Sequence, residues 1–141
     1  MDTPKVIVGG VTVDDRGSLR FVNDFDFAGV KRFYQVQNHR KGFIRAWHGH
    51  QKESKYVYVV KGTALIGAAS MDPENQLVAK FILSDKSPKV LFIPAGYYNG
   101  AMTLEDDTII QYFSTTTFEE SKDDDIRLSY DIWDIWSEDF R

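Results

Sequence analysis

The sequence predicts an all-β domain, a sandwich or barrel. Short runs rich in β-branched and aromatic residues recur along the chain. Turn signals separate them at regular intervals, and no stretch before residue 120 carries a helical period. With 141 residues, 43% of them hydrophobic, the chain is long enough for one domain over 1–141 that buries a core without staples.

In order, the predicted strands are Lys5–Val8, Ser18–Val22, Arg32–Gln37, Gly42–Trp47, Tyr56–Val60, Ala64–Ala69, Leu77–Leu83, Lys89–Ile93 and Thr108–Ser114. Turn signals separate them: Gly9-Gly10, Asp14-Asp15-Arg16-Gly17, Asn38, Lys61-Gly62, Asp72-Pro73-Glu74-Asn75, Asp85 to Pro88, and Pro94-Ala95-Gly96. The tail differs. Ser121 to Arg141 is acidic and then aromatic, and Trp133, Trp136 and Phe140 fall three and four apart, a period that suits a short amphipathic helix or an irregular cover over the barrel. Glu119 to Asp125 reads as a solvated acidic loop. Some of Tyr56, Tyr58, Trp133 and Trp136 are expected at a dimer interface.

Composition excludes several functions. Net charge is −4 with no basic run, so nucleic acid is not an expected partner. No cysteine is present, which removes disulfides, thiolate metal sites and a thiol nucleophile. No apolar run is long enough to span a bilayer, and Met1 to Lys5 open no secretion signal. A soluble, cytoplasmic protein with no membrane partner is expected.

Chemistry concentrates in Gly42 to Gly62, where Arg45, His48, His50 and Lys55 fall within 11 positions. On an extended strand His48 and His50 leave from one face. Lys55 shares parity with Val57 and Val59, so it lies on the apolar face of its strand, where a cation is costly unless an anionic or polar group meets it. Strict alternation sets Arg45 and Trp47 on the face opposite His48, and a bulge is needed to bring Arg45 and His48 together.

The His48 stretch resembles the cupins, whose first motif has glycine, His-x-His, glutamate and glycine at fixed spacing. Gly42, His48, His50 and Gly62 keep that frame, while Lys55 stands in the glutamate's place. Pro94-Ala-Gly96-Tyr-Tyr-Asn99 resembles the second motif with asparagine for histidine. The resemblance implies a jelly-roll barrel, the cupin double-stranded β-helix. An ammonium and an amide in two ligand positions imply no metal.

Lysine in that slot, with Asp14-Asp-Arg16-Gly17, Gln35-Val-Gln-Asn38-His39, Ile44-Arg45-Ala-Trp-His48, Ile93-Pro94-Ala-Gly96 and Tyr112-Phe-Ser-Thr-Thr in order, is similar to the dTDP-4-dehydrorhamnose 3,5-epimerase family. His48-Gly-His50 is also similar to the His-Ala-His of the sugar 3,4-ketoisomerases. The resemblance implies an isomerase of a nucleotide-linked 4-keto-6-deoxy sugar, with no cofactor, working as a homodimer that exchanges N-terminal strands. By resemblance His48 is the base, Lys55 steadies the enolate, and Tyr112 moves a proton on the far side of the ring. His50 is a second base or an orienter. Arg45, Arg16, Asn38 and Asn99 contact substrate. The carboxylate partner of His48 is expected from the C-terminal region, among Asp131, Asp134 and Asp139. Two rivals stand beside this reading: a non-catalytic sugar-binding cupin, and a metal enzyme built on His48, His50 and Glu53.

Overall fold

The computed structural model describes residues 2–141, and its regular secondary structure is almost wholly antiparallel strand. Two five-stranded sheets face each other. The first orders β1 (Lys5–Val8), β9 (Lys89–Ile93), β6 (Lys55–Lys61), β11 (Ile109–Ser114) and β4 (Arg32–Gln37). The second orders β12 (Ile126–Arg127), β5 (Ile44–His50), β10 (Tyr97–Thr103), β7 (Thr63–Ser70) and β8 (Val78–Ser84). A separate hairpin, β2 (Gly10–Asp14) with β3 (Gly17–Phe21), pairs with neither. No helix is long and apolar enough to cross a membrane.

Alternation fixes the core. Val57, Val59, Ile66, Leu91, Ile93 and Ile110 point between the sheets and are almost fully buried. A second cluster covers the outer face of the second sheet, where Trp47 is 0% exposed beneath Trp133 and Trp136, each ring centroid 5.3 Å from its own.

The nine predicted strands are all present with small shifts at their ends. Three further strands and a short helix, α1 (Phe118–Ser121), lie outside the prediction. Strand β10 has the weak composition Tyr-Tyr-Asn-Gly-Ala-Met-Thr and owes its state to pairing on both sides, with β5 and β7. Its Gly100 is required by close approach: a Cβ there would lie 2.5 Å from that of Ala46.

The tail is the irregular cover, and the helical alternative is corrected. The Asp134 carboxylate accepts from the Trp136 backbone at 3.3 Å, and Trp136 Nε1 donates to the Tyr130 carbonyl at 2.9 Å. These local bonds compete with a helix ladder. Trp133 and Trp136 dock on Trp47 within the chain, Trp136 buried and Trp133 partly so.

Candidate active site

Strand parity and one bulge build the site. On β6 no irregularity falls between Lys55 and Val59, so Lys55 points inward and is 8% exposed. On β5 the register against β10 slips: Asn99 pairs with His48 but Ala101 with Arg45. Two residues of β5, Ala46 and Trp47, thus stand against the single Gly100. That extra residue reverses the parity. Trp47 turns to the outer core while Arg45, His48 and His50 all line one cavity of about 360 Å3. Lys55, Tyr112 and Asn99 line it too, together with Tyr34, Glu53 and Asp125.

The walls differ. Arg45, His48, His50 and Asn99 come from the second sheet, and Lys55, Tyr112, Tyr34 and Arg32 from the first. Tyr34 and Tyr112 are stacked, with centroids 5.0 Å apart and planes 13° from parallel. The Lys55 ammonium sits 5.8 Å from one ring centroid and 5.7 Å from the other. Burial pushes both phenols well above the usual range, each ring is further charge-coupled to its neighbours, and both stay protonated near neutral pH.

Glu53 answers the cost of burying that lysine. It is 3% exposed, with Oε2 at 3.5 Å from Lys55 Nζ. Its Oε1 accepts from Thr116 Oγ1 at 3.2 Å and from Arg32 Nη2 at 3.5 Å. Lys55 is therefore both a cavity residue and the partner of Glu53. Among the described residues no three His, Asp or Glu are grouped to hold a metal ion.

His48 is half-buried, and burial lowers its pKa from the usual 6.5. Asp125 opposes that shift, while Lys55, Arg127 and His50 add to it. Asp125 Oδ1 lies 3.8 Å from His48 Nδ1. The carboxylate beside His48 is thus Asp125 and none of the three expected aspartates. Asp131 accepts from Ser129, Asp134 from Trp136 and Asp139 pairs with Arg141, all outside the cavity lining. The acidic run is accordingly not a solvated loop at its end. Ile126–Arg127 pairs with Gly49 and His48 on β5, which delivers Asp125 to the imidazole and buries Asp124.

His50 Nδ1 hydrogen-bonds the Asp124 carbonyl, and its Nε2 is buried without a partner. Asn99 Nδ2 donates to the His48 carbonyl at 3.2 Å, tying β10 to β5 beside the imidazole.

Two expected contacts lie elsewhere. Asn38 does not line the cavity; its Oδ1 accepts from Arg45 Nε at 2.7 Å, and its Nδ2 donates to Thr103 Oγ1 at 3.3 Å, so it aims the arginine. Arg16 sits at the tip of the exposed β2–β3 hairpin, paired with Asp14 at 2.5 Å, and does not reach this chain's cavity. Tyr34, Arg32 and Asp125 were not foreseen. Alternation along Arg32-Phe-Tyr34-Gln-Val36 held the signal for the first two, whereas Asp125 depends on a two-residue strand with no pattern of its own.

A family model described as dTDP-4-dehydrorhamnose 3,5-epimerase matches residues 5–137. No curated protein matches the sequence. Among solved structures, the dTDP-4-dehydrorhamnose 3,5-epimerase of Sulfolobus tokodaii is 26% identical with a TM-score of 0.74, covering 91% of this chain and 78% of that one. The Bacillus anthracis enzyme of the same name, crystallised with TDP and PPi bound, gives 20% and 0.78, covering 90% and 79%. A 3,4-ketoisomerase from Helicobacter canadensis gives 18% and 0.69, covering 91% and 92%.

Proposed function

The chain belongs to the dTDP-4-dehydrorhamnose 3,5-epimerase family, and from that membership we propose that it epimerises a nucleotide-linked 4-keto-6-deoxy sugar at C3, C5 or both. The observation that carries this is the pair of facing walls. His48 and Tyr112 line one cavity from opposite sheets, with the Lys55 ammonium on the tyrosine's side.

A ketone acidifies the C–H bonds on either side of it. His48 takes one such proton, the bonding pair moves into a carbon–carbon double bond, and the carbonyl oxygen becomes an enolate. Lys55 holds that oxygen with charge already oriented by Glu53. Return of a proton from Tyr112 on the other face inverts the carbon. Asp125 beside Nδ1 favours the tautomer whose Nε2 carries the lone pair. Arg45, aimed by Asn38, suits the diphosphate or sugar oxygens through its planar fork, and Asn99 offers its amide oxygen.

A homodimer with the hairpin exchanged completes the reading. The β2–β3 hairpin pairs with neither sheet and exposes Val13 at 76% and Leu19 at 65%, the pattern of a ribbon seated on a second copy. Arg16 would then contact substrate in the partner's cavity.

The second reading is 3,4-ketoisomerisation, favoured by the unpartnered Nε2 of His50 on the His48 wall. A base on one wall moves a proton from C3 to C4 without crossing the ring. Proton NMR of a 4-keto-6-deoxy nucleotide sugar with the protein in deuterated water separates the outcomes. Deuterium at C3 or C5 with inversion identifies the epimerase, and a relocated ketone the ketoisomerase. No exchange and no new product across several nucleotide sugars leaves a binding protein and refutes both.

A further inference from the structure

We propose that Asp124, which takes no part in the chemistry above, is the positioning residue that fixes the tautomer of His50 and the seat of Lys55. The proposal rests on the isomerase reading for its catalytic consequence, but its structural content stands separately. Asp124 is 7% exposed although it lies within the run Asp123-Asp124-Asp125. Its Oδ1 accepts from the Gln51 backbone N–H at 2.7 Å, and its Oδ2 from those of Lys52 at 2.9 Å and Glu53 at 3.1 Å. Its own carbonyl accepts from His50 Nδ1. One residue therefore grips four consecutive residues, from His50 to Glu53.

His50 ends β5, and Gln51 to Glu53 open its connection to β6, which Ser54 completes. Glu53 thus lies inside the connection, and Lys55 is the first residue of β6. Without Asp124, the N–H of Glu53 would be buried with no acceptor. Bonds from N–H groups to a carboxylate are among the stronger hydrogen bonds a surface loop can recruit. Burial opposes ionisation of Asp124, but the three N–H donors outweigh it and hold the carboxyl below the usual carboxylate range. The clamp is charged throughout the neutral range.

The carbonyl sets the chemistry. A carbonyl oxygen only accepts, so His50 Nδ1 carries a hydrogen and the neutral ring keeps its lone pair on Nε2, the nitrogen left without a partner. At His48 the neighbouring Asp125 carboxylate lies 3.8 Å from Nδ1, beyond hydrogen-bond reach, and acts there by its charge alone. Asparagine cannot replace the carboxylate. Its amide has one acceptor oxygen, and the NH2 would confront at least one of the three N–H groups.

The test is a long-range proton–nitrogen NMR correlation of the imidazoles in the full-length 15N-labelled protein near neutral pH. His50 is expected as a single tautomer with Nδ1 protonated and Nε2 bare. Asp124→Asn keeps the backbone carbonyl but loosens the clamp that holds it on Nδ1, so His50 is expected to show mixed tautomers, the amides of Gln51, Lys52 and Glu53 to exchange faster, and kcat to fall about 100-fold with KM little changed, the scale of a misplaced catalytic group. A His50 protonated at Nε2 in the unaltered protein overturns the proposal. So does an Asp124→Asn protein that keeps both the single tautomer and its kcat. Should that variant not fold, the tautomer and amide exchange of the unaltered chain still decide. Inertness towards every nucleotide sugar would remove the isomerase reading, while the imidazole spectra would still decide whether Asp124 sets the tautomer.

Discussion

Replacing Lys55 by methionine separates what the ammonium does for the fold from what it does for the reaction. Nζ lies 3.5 Å from Glu53 Oε2, with the two side chains 10% and 1% exposed. At an effective dielectric of about 20 the attraction is about 5 kcal/mol, most of it offset by desolvating both ions. Removing one partner leaves the other charge buried, and such losses run to about 3–5 kcal/mol. Arg32 and Thr116 remain on Oε1, so Lys55→Met is expected near the lower end, about 3 kcal/mol. Adding Glu53→Gln removes the stranded charge, and stability should return to within about 1 kcal/mol of the starting protein. Catalysis should not return. Loss of a preorganised group facing the developing oxyanion lowers kcat by about 100- to 1,000-fold, and the double variant lacks that group too. Urea denaturation and deuterium incorporation at the sugar carbons, measured on the parent and the three variants, give the whole cycle. If the double variant recovers rate together with stability, the rate loss was a folding defect, and the ammonium has no role at the enolate.

Other expectations follow from the same geometry. Because burial lowers the His48 pKa, the acid limb of kcat/KM should fall below pH 6.5, and Asp125→Asn, which removes the opposing charge, should move it lower still; an upward shift would refute the pairing. The same depression makes the unfolded chain bind the proton more readily, so the His48 contribution to stability is present above pH 6.5 and is lost as pH falls through the lower folded value; acid unfolding should begin at higher pH than in His48→Asn. His48→Asn should abolish solvent exchange, and retained exchange would remove the assigned base. Tyr112→Phe should continue to wash deuterium into the substrate while inversion drops by about 100-fold or more; loss of both together would make Tyr112 a packing residue. Gly67→Ala builds a Cβ 2.5 Å from Trp47 Cη2 and 2.6 Å from Ile135 Cδ1 and should cost about 1–3 kcal/mol in thermal unfolding, with no change in the pH profile.

How much could be read from the sequence depended on whether a residue's place is set locally. Lys55 among Val57 and Val59 is a parity statement, and the inward lysine follows because β6 keeps its register there. The bulge was legible as a requirement, since Arg45 and His48 could not otherwise meet, but its place at Ala46–Trp47 comes from pairing with Gly100 across the sheet. Strand β10 was missed for the same reason: Asn99, Gly100 and Ala101 have little preference for a strand until β5 and β7 flank them. Asp124 and Asp125 were the furthest out of reach. A run of acids looks solvated, and only the pairing of Ile126 and Arg127 with the distant β5 turns two of its members inward.

The acids and the lysine answer one physical demand. Substrates of the kind proposed carry a diphosphate and pass through an enolate, so the cavity must hold cations without losing the fold to their mutual repulsion. Arg45, Lys55 and Arg32 all line it. Each is met from its own side: Asn38 takes Arg45, and Glu53 takes both Lys55 and Arg32. Glu53 lies beside Lys55 and Arg32, and the stacked faces of Tyr34 and Tyr112 add negative potential next to Lys55. Asp125 stands beside His48 instead, and in the proposed mechanism an imidazole that accepts a proton near an ammonium is helped by an anion that supports the imidazolium it becomes. On the proposed mechanism the arrangement of charges, more than the His-x-His motif, is what suits this barrel to deprotonation next to a ketone.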